Sequence, residues 1–227
     1  MKAVKIYRWI VFLLAAGYCL RMVFLSDYTN FSGPFRFLTV WALFCSFFAA
    51  SRMMAIEEGR STKRWDGFVS MTAVVNAMVV YLYWSLFLND PTSVTRDGKL
   101  GEPYLELYLH GLGPLLQWID ATFIHRAFRR LKAGALWLIG LISVYICWIE
   151  FVVQALATTP RGTVTNGLPY PFLNSLTVPD RLATYGTYFA AAGVLLLAFA
   201  GIAWGVRRMF PRLEGPQALP DSPGSAG

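Results

Sequence analysis

The stretch LELYLHGLGPLLQWIDATFIH, residues 105–125, decides the fold, because the number of membrane spans turns on whether it crosses a bilayer. It matches the roughly 20 residues that a helix needs to span the hydrocarbon. It is apolar overall, yet carries Glu106, His110, Gln117 and Asp120. Five other stretches, roughly 9–25, 36–55, 68–89, 133–157 and 184–206, satisfy the same length requirement without strain. Omitting 105–125 would put Arg126 to Lys132 on the wrong side of the membrane, so it is read as the fourth of six spans.

The basic residues then give a direction, since they collect on the cytoplasmic side. With the N-terminus inside, the inner segments hold Lys2, Lys5 and Arg8; Arg52, Arg60, Lys63 and Arg64; Arg126, Arg129, Arg130 and Lys132; and Arg207, Arg208 and Arg212. The outer side keeps Arg21, Arg36, Arg96, Lys99, Arg161 and Arg181. Five spans would scramble this asymmetry. The expectation is therefore an all-α polytopic membrane protein with six transmembrane helices over 1–212 and both ends cytoplasmic. Residues 213–227, rich in Pro, Gly, Ser and Ala, form a disordered inner tail.

Composition agrees. Apolar residues make up 56% of the 227 and charged residues 15%, against about 45–50% and 25% in a soluble domain. A soluble fold could not hide that excess. Continuous apolar runs exclude barrel strands, which alternate over about 10 residues. Cys19, Cys45 and Cys147 each lie inside an apolar run, which excludes a disulfide scaffold. The net charge of +7 sits in short clusters between spans, so nucleic acid is not an expected partner. Lys2, Lys5 and Arg8 before an apolar run resemble a secretion signal, but no small-x-small cleavage site followed by a soluble domain accompanies them. The first helix is read as retained. The loops at about 90–104 and 158–183 fall outside, and the second is expected to be an ordered cover bearing Gly162, Gly167, Pro169, Pro171 and Pro179. Asn30-Phe31-Ser32 matches a glycosylation acceptor but lies close to the predicted membrane surface.

Ionisable groups inside a bilayer are expensive and point to function. His110 falls about 7 Å below the outer boundary and Asp120 about 15 Å deeper, at 1.5 Å per helical residue. His110, Gly113, Gln117 and Asp120 form a stripe expected to face the bundle interior. Glu150, in the outer half of the fifth span, is in reach of either His110 or Arg21. His125 beside Arg126 reads as an interfacial residue. Two histidines at opposite faces make no metal site, and neither a metal nor another cofactor is expected. Thr39, about 5 Å into the second span, shares the depth of His110, although a lone threonine in a membrane helix usually bonds a carbonyl one turn back.

Phe35-Arg36-Phe37-Leu38-Thr39 resembles the aromatic-basic-aromatic-Leu-Thr signature of the androgen-induced / FAR-17a family of six-span membrane proteins. The resemblance recurs, in order, at His110 with Pro114 and Asp120, at Tyr145-Ile146-Cys147-Trp148 and at Tyr170-Pro171-Phe172-Leu173. It implies a threonine hydrolase that cleaves fatty acid esters of hydroxy fatty acids, with Thr39 as nucleophile and His110 as base. The site would then open towards the outer or luminal leaflet of the plasma membrane or endoplasmic reticulum. Arg36, Arg181 and Tyr170 are candidate oxyanion donors, with Gln117, Asp120 and Glu150 in support. The rival reading is a non-catalytic membrane protein that binds lipid or a partner protein. An ion pathway through His110, Gln117, Asp120 and Glu150 lacks a polar line to both faces.

Overall fold

A computed structural model describes residues 2–29, 31–95, 98–157 and 167–211. The expected tail at 213–227, the Asn30 acceptor, Gly162, and the basic residues Arg96, Arg161 and Arg212 lie outside the described residues. Those described are helical, with no strand among them. Five helices are long and apolar enough to cross a membrane: α1 (Lys2–Phe24), α2 (Leu38–Glu57), α3 (Asp66–Asn89), α5 (Leu131–Val153) and α6 (Val178–Met209). Between α3 and α5 the chain is helical over 103–124, here α4, but in four pieces.

The breaks in α4 have a local cause. Pro114 has no N–H, so the carbonyl of His110, four residues back, loses its helical partner. The chain passes through an i→i+5 turn over Tyr108–Leu112, and His110 leaves helical geometry at φ −111°, ψ 17°. The indole N–H of Trp84 on α3 donates to the freed carbonyl at 2.8 Å. Gly113 permits the tight turn, because a Cβ there would lie 2.9 Å from the Tyr108 carbonyl oxygen. A second i→i+5 turn covers Asp120–Ile124, closed by the His125 amide donating to the Asp120 carbonyl at 2.7 Å.

Helix α3 is the central helix, in contact with α2, α4, α5 and α6. It is apolar on all sides, as a helix surrounded by others should be. Small residues let its neighbours approach: Gly67 faces Ala133 so closely that a Cβ would meet the Ala133 Cβ at 2.8 Å. Helix α2 ends at Gly59 in a left-handed conformation (φ +71°), where the Arg60 amide donates back to the Ala55 carbonyl at 2.8 Å.

One expectation is corrected. Pro179 is not in the cover loop. Helix α6 starts at Val178, capped by the Thr177 hydroxyl, with Pro179 in its first turn, where a missing N–H costs nothing. His125 is 5% exposed, with Nε2 2.9 Å from Asp66 Oδ1, and ties the end of α4 to the start of α3.

Candidate active site

Thr39 is the second residue of α2, placed there by the short turn Gly33–Arg36. That turn is fastened from α5: the Tyr145 hydroxyl donates to the Arg36 carbonyl at 2.9 Å, and the Trp148 indole donates to the Phe35 carbonyl at 3.1 Å. Thr39 Oγ1 and His110 Nε2 are 3.3 Å apart. The contact joins residues 71 positions apart in sequence and is long for a hydrogen bond, as ligand-free catalytic contacts often are.

The imidazole has neighbours on one face and at both ring nitrogens. Tyr83 stacks on it with centroids 3.5 Å apart and planes 4° from parallel. On the far edge from Thr39, Nδ1 lies 3.0 Å from Glu106 Oε2, one helical turn earlier in α4. The carboxylate sits off the line of the ring N–H, so this is a close approach without an aligned hydrogen bond. Only 5% of His110 is exposed. The Tyr83 hydroxyl interacts electrostatically with Glu106 but likewise has no aligned partner.

Thr39, His110, Glu106 and Tyr83 line a cavity of about 190 Å³, roofed by Ser93 and Val94 from one loop and by Pro169 and Tyr170 from the other. Leu168, in the described part of the second loop, is held by Asn174, whose side chain accepts from the Leu168 amide at 3.0 Å and donates to the Leu168 carbonyl at 3.1 Å. Tyr170 also borders a narrower apolar cavity between α2, α3, α5 and α6, lined by Leu38, Met78, Leu82 and Ile149 among others. Desolvation of the Tyr170 phenol raises its pKa above the ordinary tyrosine value, so it stays protonated and able to donate.

The FAR-17a/AIG1-like family model matches residues 6–203, nearly the whole chain. The chain belongs to the FAR-17a/AIG1-like family. No curated protein and no solved structure matches it.

Other predicted residues of this FAR-17a/AIG1-like protein lie away from the cavity wall. Asp120 is buried in a bidentate pair with Arg8 of α1, both contacts 3.1 Å, and the same guanidinium reaches Glu57 at 3.1 Å. Gln117 is buried, 3% exposed, and does not line the cavity. Glu150 meets neither His110 nor Arg21. It accepts from the Tyr185 hydroxyl at 2.6 Å and approaches Arg181 at 3.4 Å, because the i→i+5 turn Trp148–Val153 sits beside the first turns of α6. Arg21 pairs instead with Glu102. Of the three candidate oxyanion donors, Arg181 is engaged by Glu150, and Arg36 is buried but absent from the cavity wall. Tyr170 alone of the three lines it. Sequence reading missed Tyr83 and Trp84, which carry no motif. Glu106 stood out only as a charge in the span, although its i,i+4 spacing to His110 is a legible signal of contact.

Proposed function

We propose that this chain is a membrane-embedded lipid-ester hydrolase with Thr39 as nucleophile and His110 as general base. The observation that carries the reading is the 3.3 Å approach of Thr39 Oγ1 to His110 Nε2 in the wall of a cavity. A threonine hydroxyl is a weak nucleophile until a base accepts its proton. Neutral imidazole does so near pH 7, with a gain of about 10²–10⁴ in rate.

As Thr39 Oγ1 bonds to the ester carbonyl carbon, its proton passes to His110 Nε2. Collapse of the tetrahedral intermediate breaks the bond to the alcohol oxygen, which takes that proton and leaves, with an acyl-threonine remaining. Water then attacks the acyl carbon, giving a proton to His110; the bond to Thr39 Oγ1 breaks, that oxygen takes the proton back from His110, and the fatty acid leaves. The protonated Tyr170 phenol serves the oxyanion. Family membership favours fatty acid esters of hydroxy fatty acids as substrates, and the apolar cavity beside Tyr170 is suited to hydrocarbon.

In this reading α4 also crosses the bilayer, as the fourth of six spans, both ends are cytoplasmic, and the cavity opens to the outer or luminal leaflet. The arrangement of basic residues supports it. The bidentate Arg8–Asp120 pair also supports it, since a carboxylate at that depth is costly without its partner.

The test is labelling of the detergent-purified protein by a fluorophosphonate, wild type beside Thr39→Ala and His110→Ala of matched monodispersity. Wild type is expected to label and both variants to lose labelling. A folded wild type that does not label, and hydrolyses no fatty ester, would transfer the reading to a lipid-binding protein without turnover.

A further inference from the structure

Glu106 stands outside the two-residue mechanism above, yet among the described residues it is the carboxylate that approaches the catalytic ring. With Nε2 turned to Thr39, the base-competent tautomer of His110 carries its proton on Nδ1. That proton needs an acceptor in a site where the ring is 5% exposed, and Glu106 Oε2 is 3.0 Å away. We propose that Glu106 is the positioning residue of a Thr39–His110–Glu106 triad, fixing the tautomer of His110 and balancing the imidazolium formed when Thr39 attacks. This assignment rests on the hydrolase reading.

The surroundings favour that role over a packing role. Glu106 and His110 are i and i+4 on α4, so the helix itself presents the carboxylate to the ring edge. Tyr83 closes one face of the imidazole by parallel stacking, which leaves rotation within narrow limits. Glu106 keeps partial access to the cavity, its side chain 20% exposed, so it can remain ionised before the reaction begins. The other oxygen, Oε1, lies against Gly101, where a Cβ would approach it to 3.1 Å; a larger residue at 101 would push the carboxylate out of place. A modest rotation of the Glu106 side chain aligns Oε2 with Nδ1, and such tightening on substrate binding is common. Through the cycle Glu106 gains no proton: the proton leaves Thr39 Oγ1, rests on Nε2 and returns to the departing alkoxide, while the carboxylate keeps its charge.

The experiment measures kcat and KM on a p-nitrophenyl fatty ester for wild type, Thr39→Ala, Glu106→Gln and Glu106→Asp. Glutamine keeps the shape, removes the charge and can offer an N–H to Nδ1, which favours the wrong tautomer. It is expected to lower kcat by roughly 10²–10⁴ with KM changed less than about twofold, as loss of an orienting carboxylate does in other triads. Aspartate is expected to recover about tenfold or more over glutamine by restoring the charge. Folded Glu106→Gln with wild-type kcat would overturn the assignment, and so would Glu106→Asp no better than Glu106→Gln. If the glutamine variant does not fold, Glu106→Asp decides against wild type, with a several-fold fall in kcat expected and an unchanged kcat overturning it. Turnover that survives Thr39→Ala would instead remove the hydrolase reading and the triad with it. Turnover lost in Thr39→Ala but untouched in both Glu106 variants removes the triad alone.

Discussion

At the residue scale the site depends on atoms held before any substrate arrives. His110 is fixed by stacking on Tyr83, by the Trp84 bond to its carbonyl and by the Glu106 approach, so the proposed reaction would need little reorganisation. Tyr170 packs against Phe37 and Phe172, and its phenol interacts with Tyr145. Its phenol stays protonated and borders both the Thr39 cavity and the apolar cavity next to it. Tyr170→Phe removes one donor and leaves the wall almost unchanged in shape. Its kcat is expected to fall by roughly 10²–10³, the usual cost of one oxyanion donor, with KM nearly constant. Steady-state kinetics on a fatty ester checks this, and a change confined to KM would assign Tyr170 to binding instead.

At the scale of elements, helix approach is set by small side chains. Gly67→Ala would drive a Cβ to 2.8 Å from the Ala133 Cβ and 2.9 Å from the Ala133 carbonyl carbon, where backbone cannot yield as a flexible side chain would. The α3–α5 contact is expected to lose about 1–3 kcal/mol, read as a lower thermal midpoint in detergent. Legibility from sequence also divides by element. The five long helices were evident from apolar length, because burial in lipid leaves a continuous hydrophobic record. The fractures of α4 were not, although Pro114 and two glycines marked their place. Whether a proline kinks or stops a helix depends on who takes the freed carbonyl, and Trp84 lies 26 residues away. Thr39 and His110 could be matched in depth from sequence, but not in azimuth, which only packing fixes. Glu150 was misassigned for the same reason: its partners Tyr185 and Arg181 lie on another helix.

At the scale of the whole molecule, the buried guanidinium of Arg8 joins three helices. It meets Asp120 of α4 with two contacts and Glu57 of α2 with a third, and both members of the Arg8–Asp120 pair have side chains about 5% exposed. Arg8→Met leaves two carboxylates without their cation in a low-dielectric interior. A loss of about 3–5 kcal/mol is expected, measurable as the shift in thermal unfolding. The double variant Arg8→Met/Asp120→Leu should recover much of it, since an apolar pair of similar volume carries no stranded charge. Fluorophosphonate labelling at low temperature should survive in both, because the pair lies two to three turns of α4 from His110.

The two i→i+5 turns of α4 give this helix the character of a vernier. Each such turn holds one residue more than an α-turn; the first resets the phase of the helix between His110, which faces Thr39, and Asp120, which faces Arg8 and opens the second. Removing one residue between them, at Leu112 for example, would turn everything downstream by about 100° relative to His110. The imidazole and the carboxylate could then no longer both find their partners. The length of chain between them is thus under tighter constraint than the identity of the side chains along it.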